Sequence, residues 1–239
     1  MANALVTGGN SGIGFATARL LADKGYEVTI AGRSAERVAA AAKTLGVNGL
    51  VADVARLDDL TTLAAAFLPI GLDVLVNNAG IGTVMPLGQF TEQSFAEHIN
   101  VNLRGPMFLV QALLPALQAR RGVIVNVSTV AAEVASPGFA QYAAAKAGLN
   151  AMSRCLSMEL APLGVRCNVV SPGPIETDIF AKLGLPEEQL DEVRGGMLEK
   201  SPLGQLGQPE DVAQAILGQI ENPNVTGAIW QIDGGFRWA

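Results

Sequence analysis

Thr7-Gly8-Gly9-Asn10-Ser11-Gly12-Ile13-Gly14 decides how this chain folds. A short apolar run, residues 4–6, leads into it, and an Ala- and Leu-rich helical pattern over residues 13–24 follows. A strand that passes through a glycine turn straight into a helix is the first half of a βαβ unit. Glycine lets the backbone of such a turn approach another group closely. The helix start adds free N–H groups and the positive end of the helix dipole. Together these suit a pyrophosphate, so a dinucleotide is the ligand expected at this first crossover. The spacing is Thr-Gly-x-x-x-Gly-x-Gly rather than Gly-x-Gly-x-x-Gly.

The same alternation continues along the chain. Strand patterns lie at 4–6, 27–31, 49–52, 74–77, 123–127, 165–170 and 228–232. Helical patterns lie at 13–24, 35–45, 57–67, 92–119 (broken near Asn102), 139–163 and 209–221. The strands are apolar throughout rather than alternating, which means burial on both faces. Strand–helix alternation of this kind gives an α/β fold, a doubly wound seven-stranded parallel sheet with helices on both faces. Ser34, Asp53 and Thr91 stand where helices begin, as caps or opening-turn residues, and Pro209 suits the first position of the last helix. No linker, repeat or low-complexity segment divides the chain. One long stretch, 178–207, falls outside the pattern; its length points to a substrate lid. Its apolar residues Phe180, Leu183, Leu185 and Met197 suggest an apolar part of the substrate.

Composition narrows the functions. With 239 residues, 49% hydrophobic and 16% charged, the chain can bury a sizeable core. A net charge of −6 argues against a nucleic-acid surface. No apolar run reaches the ~18 residues of a membrane span. The start carries no basic segment or cleavage site, so a cytoplasmic location is expected. Two cysteines and one histidine are too few for a disulfide framework or a zinc centre, and no metal site is expected.

Tyr142-Ala-Ala-Ala-Lys146 places a phenol and an ammonium one helical turn apart on one face. A positive charge beside a phenol lowers its pKa from about 10, which makes the pair a proton-donating device.

Thr7–Gly14, Asn77-Asn78-Ala79-Gly80, Asn102, Tyr142-x-x-x-Lys146, Ser171-Pro172-Gly173 and Asp233-Gly234-Gly235 occur in the order and spacing of the classical short-chain dehydrogenases/reductases. The chain resembles that family over essentially its whole length. The run Tyr142-Ala-Ala-Ala-Lys146-Ala-Gly-Leu149 is nearest in look to 3-oxoacyl-acyl-carrier-protein reductases, although Gln141 stands where those enzymes usually have Asn. The resemblance implies a single-domain Rossmann fold over residues 1–239. It also implies a nicotinamide cofactor and the interconversion of a small-molecule carbonyl and a secondary alcohol. Gly8, Asn10, Ser11, Gly12, Ile13 and Gly14 then form the cofactor turn. Asp53 contacts the adenine amino group, and Val54 packs near the ring. Asn78, Ala79 and Gly80 let the backbone pass close to the adenosine ribose. Pro172, Gly173, Ile175 and Thr177 hold the nicotinamide carboxamide.

Gly32 and Arg33 end the second strand pattern, where an NAD site places an acid on the ribose 2′-hydroxyl. A guanidinium there matches a 2′-phosphate, so NADP(H) is preferred and NAD(H) is possible. Ser11 departs from the basic residue that many NADP members carry before the second glycine of the turn.

By the same resemblance Tyr142 is the acid in reduction and the base in oxidation. Lys146 lowers its pKa and bonds the nicotinamide ribose. Asn102 holds a water that connects Lys146 to solvent. The hydroxyl partner lies thirteen residues before the tyrosine, which selects Thr129; Ser128 takes the role if the loop register differs by one. A redox-inactive NADP(H)-binding sensor is an alternative, against which Tyr142, Lys146 and Asn102 all weigh. Sugar-nucleotide epimerase or dehydratase chemistry is another, though those relatives are usually longer. A homotetramer or homodimer is expected, pairing helices 92–119 and 139–163 between subunits.

Overall fold

The computed structural model describes residues 1–177 and 187–239, with the backbone alone at 187–191 and 193. In chain order the strands are β1 (Asn3–Thr7), β2 (Glu27–Gly32), β3 (Asn48–Val51), β4 (Val74–Asn77), β5 (Val123–Val127), β6 (Arg166–Pro172) and β7 (Ile229–Ile232). The α-helices are α1 (Gly12–Asp23), α2 (Ala35–Leu45), α3 (Leu57–Ala65), α4 (Glu92–Ile99), α5 (Gly105–Arg120), α6 (Ala140–Leu160), α7 (Glu187–Glu199) and α8 (Pro209–Glu221). The strands form one seven-stranded sheet in the order β3-β2-β1-β4-β5-β6-β7. Every neighbouring pair is parallel.

Alternate residues of the apolar strands feed two cores. Leu5, Leu75 and Ile124 pack with Leu60, Leu63, Leu109 and Leu113 of α3 and α5 on one face. Ala4, Val6, Val74 and Val125 pack with Leu21, Val38, Val212 and Ile216 of α1, α2 and α8 on the other. Along the central strands β1, β4 and β5 neither face meets water, so these strands show no polar alternation. Leaving β1, the chain moves to β2 on one side and later to β4 on the other. The order therefore reverses between β1 and β4, and a crevice opens at their carboxyl ends.

Ser34 caps α2 by accepting from the Arg37 N–H, and Thr91 forms a capping box with Ser94. Asp53 caps no helix; its carboxylate accepts from the Ala55 N–H and shapes the turn ahead of α3. The break expected near Asn102 is a π-helical turn, Asn100–Arg104, through which α4 runs on into α5. Residues 178–186, with Phe180, Leu183 and Leu185 of the expected lid, lie outside the described residues. The remainder of that stretch contains α7, a helix the sequence pattern did not predict. Its Gly195-Gly196 pair, a poor helix former, hides the helical period.

Candidate active site

The crevice at the switch point opens into a cleft of about 350 Å³. The glycine turn forms one wall and is fastened to the β4 end. Thr7 Oγ1 accepts from the N–H groups of Asn78 and Ala79, both at 3.1 Å. The Asn78 amide donates to the carbonyls of Thr7 and Gly8. Gly8 sits at φ +65, and a Cβ there would lie 2.9 Å from the Ala79 Cα. A Cβ on Gly14 would lie 2.4 Å from the Gly8 carbonyl oxygen. Both positions exclude larger residues.

Of the expected cofactor residues, Gly8, Asn10, Ser11, Gly12, Ile13, Arg33, Asp53, Val54, Asn78, Ala79, Gly80, Pro172, Gly173, Ile175 and Thr177 line this cleft, together with Tyr142 and Lys146. Gly14 does not line it and serves the packing of the turn. Thr129 lines the cleft and Asn102 does not. The pattern overlooked Arg37 and Gly82, which also line it, as do Ser34, read as a helix cap, and Ser128, the alternative hydroxyl. Arg37, in the first turn of α2, lies four residues beyond Arg33, a spacing visible in the sequence.

At the far end Tyr142, Lys146 and Thr129 converge. Lys146 is 3% exposed, and its Nζ donates to the Val127 carbonyl at 2.7 Å. Burial pulls its pKa down to about 8. Tyr142 is partly exposed, with Gly82 against its ring; a Cβ there would be 3.5 Å from the Tyr142 Cε2. Burial raises the phenol pKa, and a hydrogen bond with Thr129 opposes the rise. The lowering expected from Lys146 is thus outweighed by desolvation, and Thr129 rather than the ammonium works against it.

Thr129 begins a 3₁₀ turn, Val130–Ala132, and accepts from the Ala131 N–H at 3.3 Å. Ser128 is 4% exposed, and its Oγ has no hydrogen-bond partner among the described residues. Of the two adjacent hydroxyls, Thr129 is the one that bonds Tyr142. Asn102 is fully buried: its amide donates to the Ile81 carbonyl at 2.9 Å and accepts from the Ile81 N–H at 3.0 Å. The Asn102 Oδ1 and Lys146 Nζ both lie within 3.5 Å of the point a Gly80 Cβ would take.

A family profile described as Enoyl-(Acyl carrier protein) reductase matches residues 8–237. The 3-oxoacyl-[acyl-carrier-protein] reductase FabG of Thermotoga maritima is 38% identical over 241 residues, covering 97% of this chain and 96% of that protein. Carbonyl reductase family member 4 of Danio rerio is 34% identical over 241 residues, covering 98% and 97%. A short-chain dehydrogenase/reductase of unknown function from Caenorhabditis elegans, solved with cofactor, has a TM-score of 0.92 at 32% identity, covering 100% of this chain and 96% of that one.

The chain belongs to the short-chain dehydrogenase/reductase family. It is an oxidoreductase of the carbonyl and CH–OH class, whose members work with a nicotinamide cofactor. The cleft of this short-chain dehydrogenase/reductase fits such a group. Ser11, the N-cap of α1, makes no side-chain cap bond, and no acid stands in the first turn of α1. The first N–H groups and the dipole of α1 are therefore free to meet an anion. Arg33, Arg37 and Lys146 line the cleft against one carboxylate, Asp53, so the site is locally cationic in a chain of net charge −6. Among the described residues no helix is long and apolar enough to cross a membrane.

Proposed function

We propose that this protein interconverts a carbonyl compound and a secondary alcohol with NADP(H), and that Tyr142 moves the proton. The convergence of Tyr142, Thr129 and buried Lys146 at one end of a phosphate-suited cleft carries the reading. When bound, the nicotinamide supplies or accepts the hydride. Thr129, able to donate and accept, holds the substrate oxygen beside the phenol. Tyr142 gives that oxygen a proton in reduction and removes one in oxidation. Lys146 steadies the phenolate that reduction leaves. Asn102 anchors the Ile81 segment over it, on the route by which a water restores the proton.

The preference for NADP(H) is supported by Arg33 at the end of β2, with Gly32 where an acid would repel a 2′-phosphate. NAD(H) remains the second cofactor of this reading. A homotetramer or homodimer is supported by the exposed apolar residues Phe95 on α4, Met107 on α5 and Met158 on α6. The lid over 178–207, the single domain over 1–239 and the cytoplasmic location belong to the same reading.

The test follows NADPH and NADH consumption across ketone, quinone, sugar and 3-oxoacyl thioester panels. The thioesters come first because relatives carry that name. NADPH consumption with at least one panel member is expected. Tyr142→Phe should lower it by about 10²–10⁴-fold while cofactor binding persists. Undiminished turnover in that variant would remove Tyr142 from the role. Preference for NADH would overturn the cofactor assignment. Tight NADPH binding without turnover of any panel member would leave the sensor in its place.

A further inference from the structure

Asp233-Gly234-Gly235 and the 3₁₀ turn after it, Phe236–Trp238, take no part in the chemistry above, yet they touch the cleft at Gly173, the segment that follows α7, and a third element. A Cβ on Gly173, in the cleft, would lie 2.7 Å from the Asp233 Cα. Gly234 and Gly235 have φ of +60 and +86. Cβ atoms there would lie 3.2 Å from the Ser201 Oγ and 3.1 Å from the Pro202 Cγ, in the segment that follows α7. Asp233 shapes the turn by accepting from the N–H groups of Gly235 at 3.0 Å and Arg237 at 3.2 Å.

That third element is the turn that presents Thr129. Glu133 closes that 3₁₀ turn, four residues after Thr129. Its carboxylate accepts from Arg237 Nη1 at 3.3 Å and from Gln231 Nε2 at 3.1 Å. Arg237 also lies over the Trp238 ring, 4.7 Å from its centroid, which restricts the guanidinium. Both oxygens of one carboxylate are thus held by the carboxyl-terminal segment.

We propose that Glu133 and Arg237 are positioning residues: the carboxyl-terminal turn braces the Val130–Ala132 turn and sets the place of the Thr129 hydroxyl against Tyr142. The proposal rests on the role given to Thr129 above. Arg237 and Glu133 are partly exposed, with side-chain exposures of 28% and 38%, so the pair acts as a modest lever on geometry.

Arg237→Ala, Glu133→Gln and the exchanged pair Glu133→Arg/Arg237→Glu are compared for kcat, for the KM of the carbonyl substrate and for the NADPH Kd by fluorescence titration. Each single variant should lower kcat by about fivefold, the scale of a half-exposed ion pair, and leave the NADPH Kd unchanged. The exchanged pair should recover most of the loss. In a Thr129→Ala background, Arg237→Ala should have no further effect, because residues that act through one another are not additive. Full additivity in that background, or a normal kcat in Arg237→Ala beside an impaired Thr129→Ala, overturns the brace alone. A normal kcat in Thr129→Ala overturns the role of Thr129, and the brace with it. If a single variant unfolds, the exchanged pair decides: a folded exchanged pair that stays slow overturns the brace.

Discussion

Lys146 Nζ donates at 2.7 Å to the carbonyl of Val127, the residue immediately before the two hydroxyls at the end of β5. One bond therefore fastens the helix that carries Tyr142 to the strand that leads into Ser128 and Thr129. An ammonium held there is nearly dry, and its pKa falls to about 8.

That depression has a measurable sign. Below pH 8 Lys146 is protonated in both states, and the penalty of burying the charge is fully present. Between pH 8 and the 10.5 of an unburied lysine, the unfolded chain keeps a proton that the folded chain has released. The unfolded state then binds more protons, so stability rises with pH. Relative to Lys146→Met, the wild type should gain up to about 3 kcal/mol between pH 7 and 10. Denaturant unfolding at several pH values checks this, and a difference that stays flat with pH would contradict it.

Ser128 and Thr129 should separate cleanly. Thr129 bonds Tyr142 and counters the rise in its pKa, whereas the Ser128 Oγ is buried without a partner among the described residues. Thr129→Ala should lower kcat by about 10²-fold, within the range of positioned acid–base help. Ser128→Ala should keep kcat within about twofold and unfold no more easily, since it removes an unsatisfied buried hydroxyl. Steady-state rates and melting curves of the two variants decide it; the opposite ranking would move the role to Ser128.

Much of this was legible in the chain, and the exceptions have physical causes. The doubly wound sheet followed from apolar strands alternating with helices, and each of the seven strand patterns meets a strand. The register of thirteen residues placed Thr129 where the hydroxyl faces the phenol. The direction of the Tyr142 pKa was not legible, because desolvation depends on packing from Gly82 and its neighbours, which no local pattern encodes. The fastening of the glycine turn by the Asn78 amide, which donates to the Thr7 and Gly8 carbonyls seventy residues away, was not legible, because it depends on β1 and β4 lying side by side. The π-helical turn at Asn100–Arg104 read as a break because periodicity marks a fault and not its geometry. Arg37 was legible and overlooked, four residues beyond Arg33.

Cofactor preference should turn on that corner. Charge-assisted hydrogen bonds contribute about 1.5–3 kcal/mol each. Arg33→Ala should therefore weaken NADPH binding by about 10- to 100-fold and leave NADH binding nearly unchanged. Installing an acid at Gly32 requires Asn10 to turn away, because a Cβ there would lie 2.6 Å from the Asn10 Oδ1. Gly32→Asp should weaken NADPH binding, because the acid repels a 2′-phosphate, and Gly32→Asp with Asn10→Gly, which removes the crowding amide, should gain more NADH affinity than the single variant. Titration of intrinsic fluorescence with each cofactor measures all three; equal weakening of NADPH and NADH in Arg33→Ala would contradict the 2′-phosphate role.

Asn102 offers the last separation, between a structural amide and a water carrier. Both of its polar atoms bond the backbone of Ile81, so it holds the segment from Gly80 to Gly82 over Lys146 and the Tyr142 ring. Asn102→Asp keeps the acceptor for the Ile81 N–H but sets a carboxylate oxygen against the Ile81 carbonyl. Since the position is fully buried, the change strands a charge and should destabilise the fold by about 3–5 kcal/mol at neutral pH. Protonation at low pH restores a donor toward the Ile81 carbonyl, so the loss should shrink as pH falls. Asn102→Ala removes both bonds without adding charge, and its loss should be smaller and independent of pH. Unfolding midpoints of the two variants between pH 5 and 8 provide the measurement. A pH-independent loss in Asn102→Asp would mean that its carboxyl no longer faces Ile81, and would return Asn102 to a role in the proton route alone.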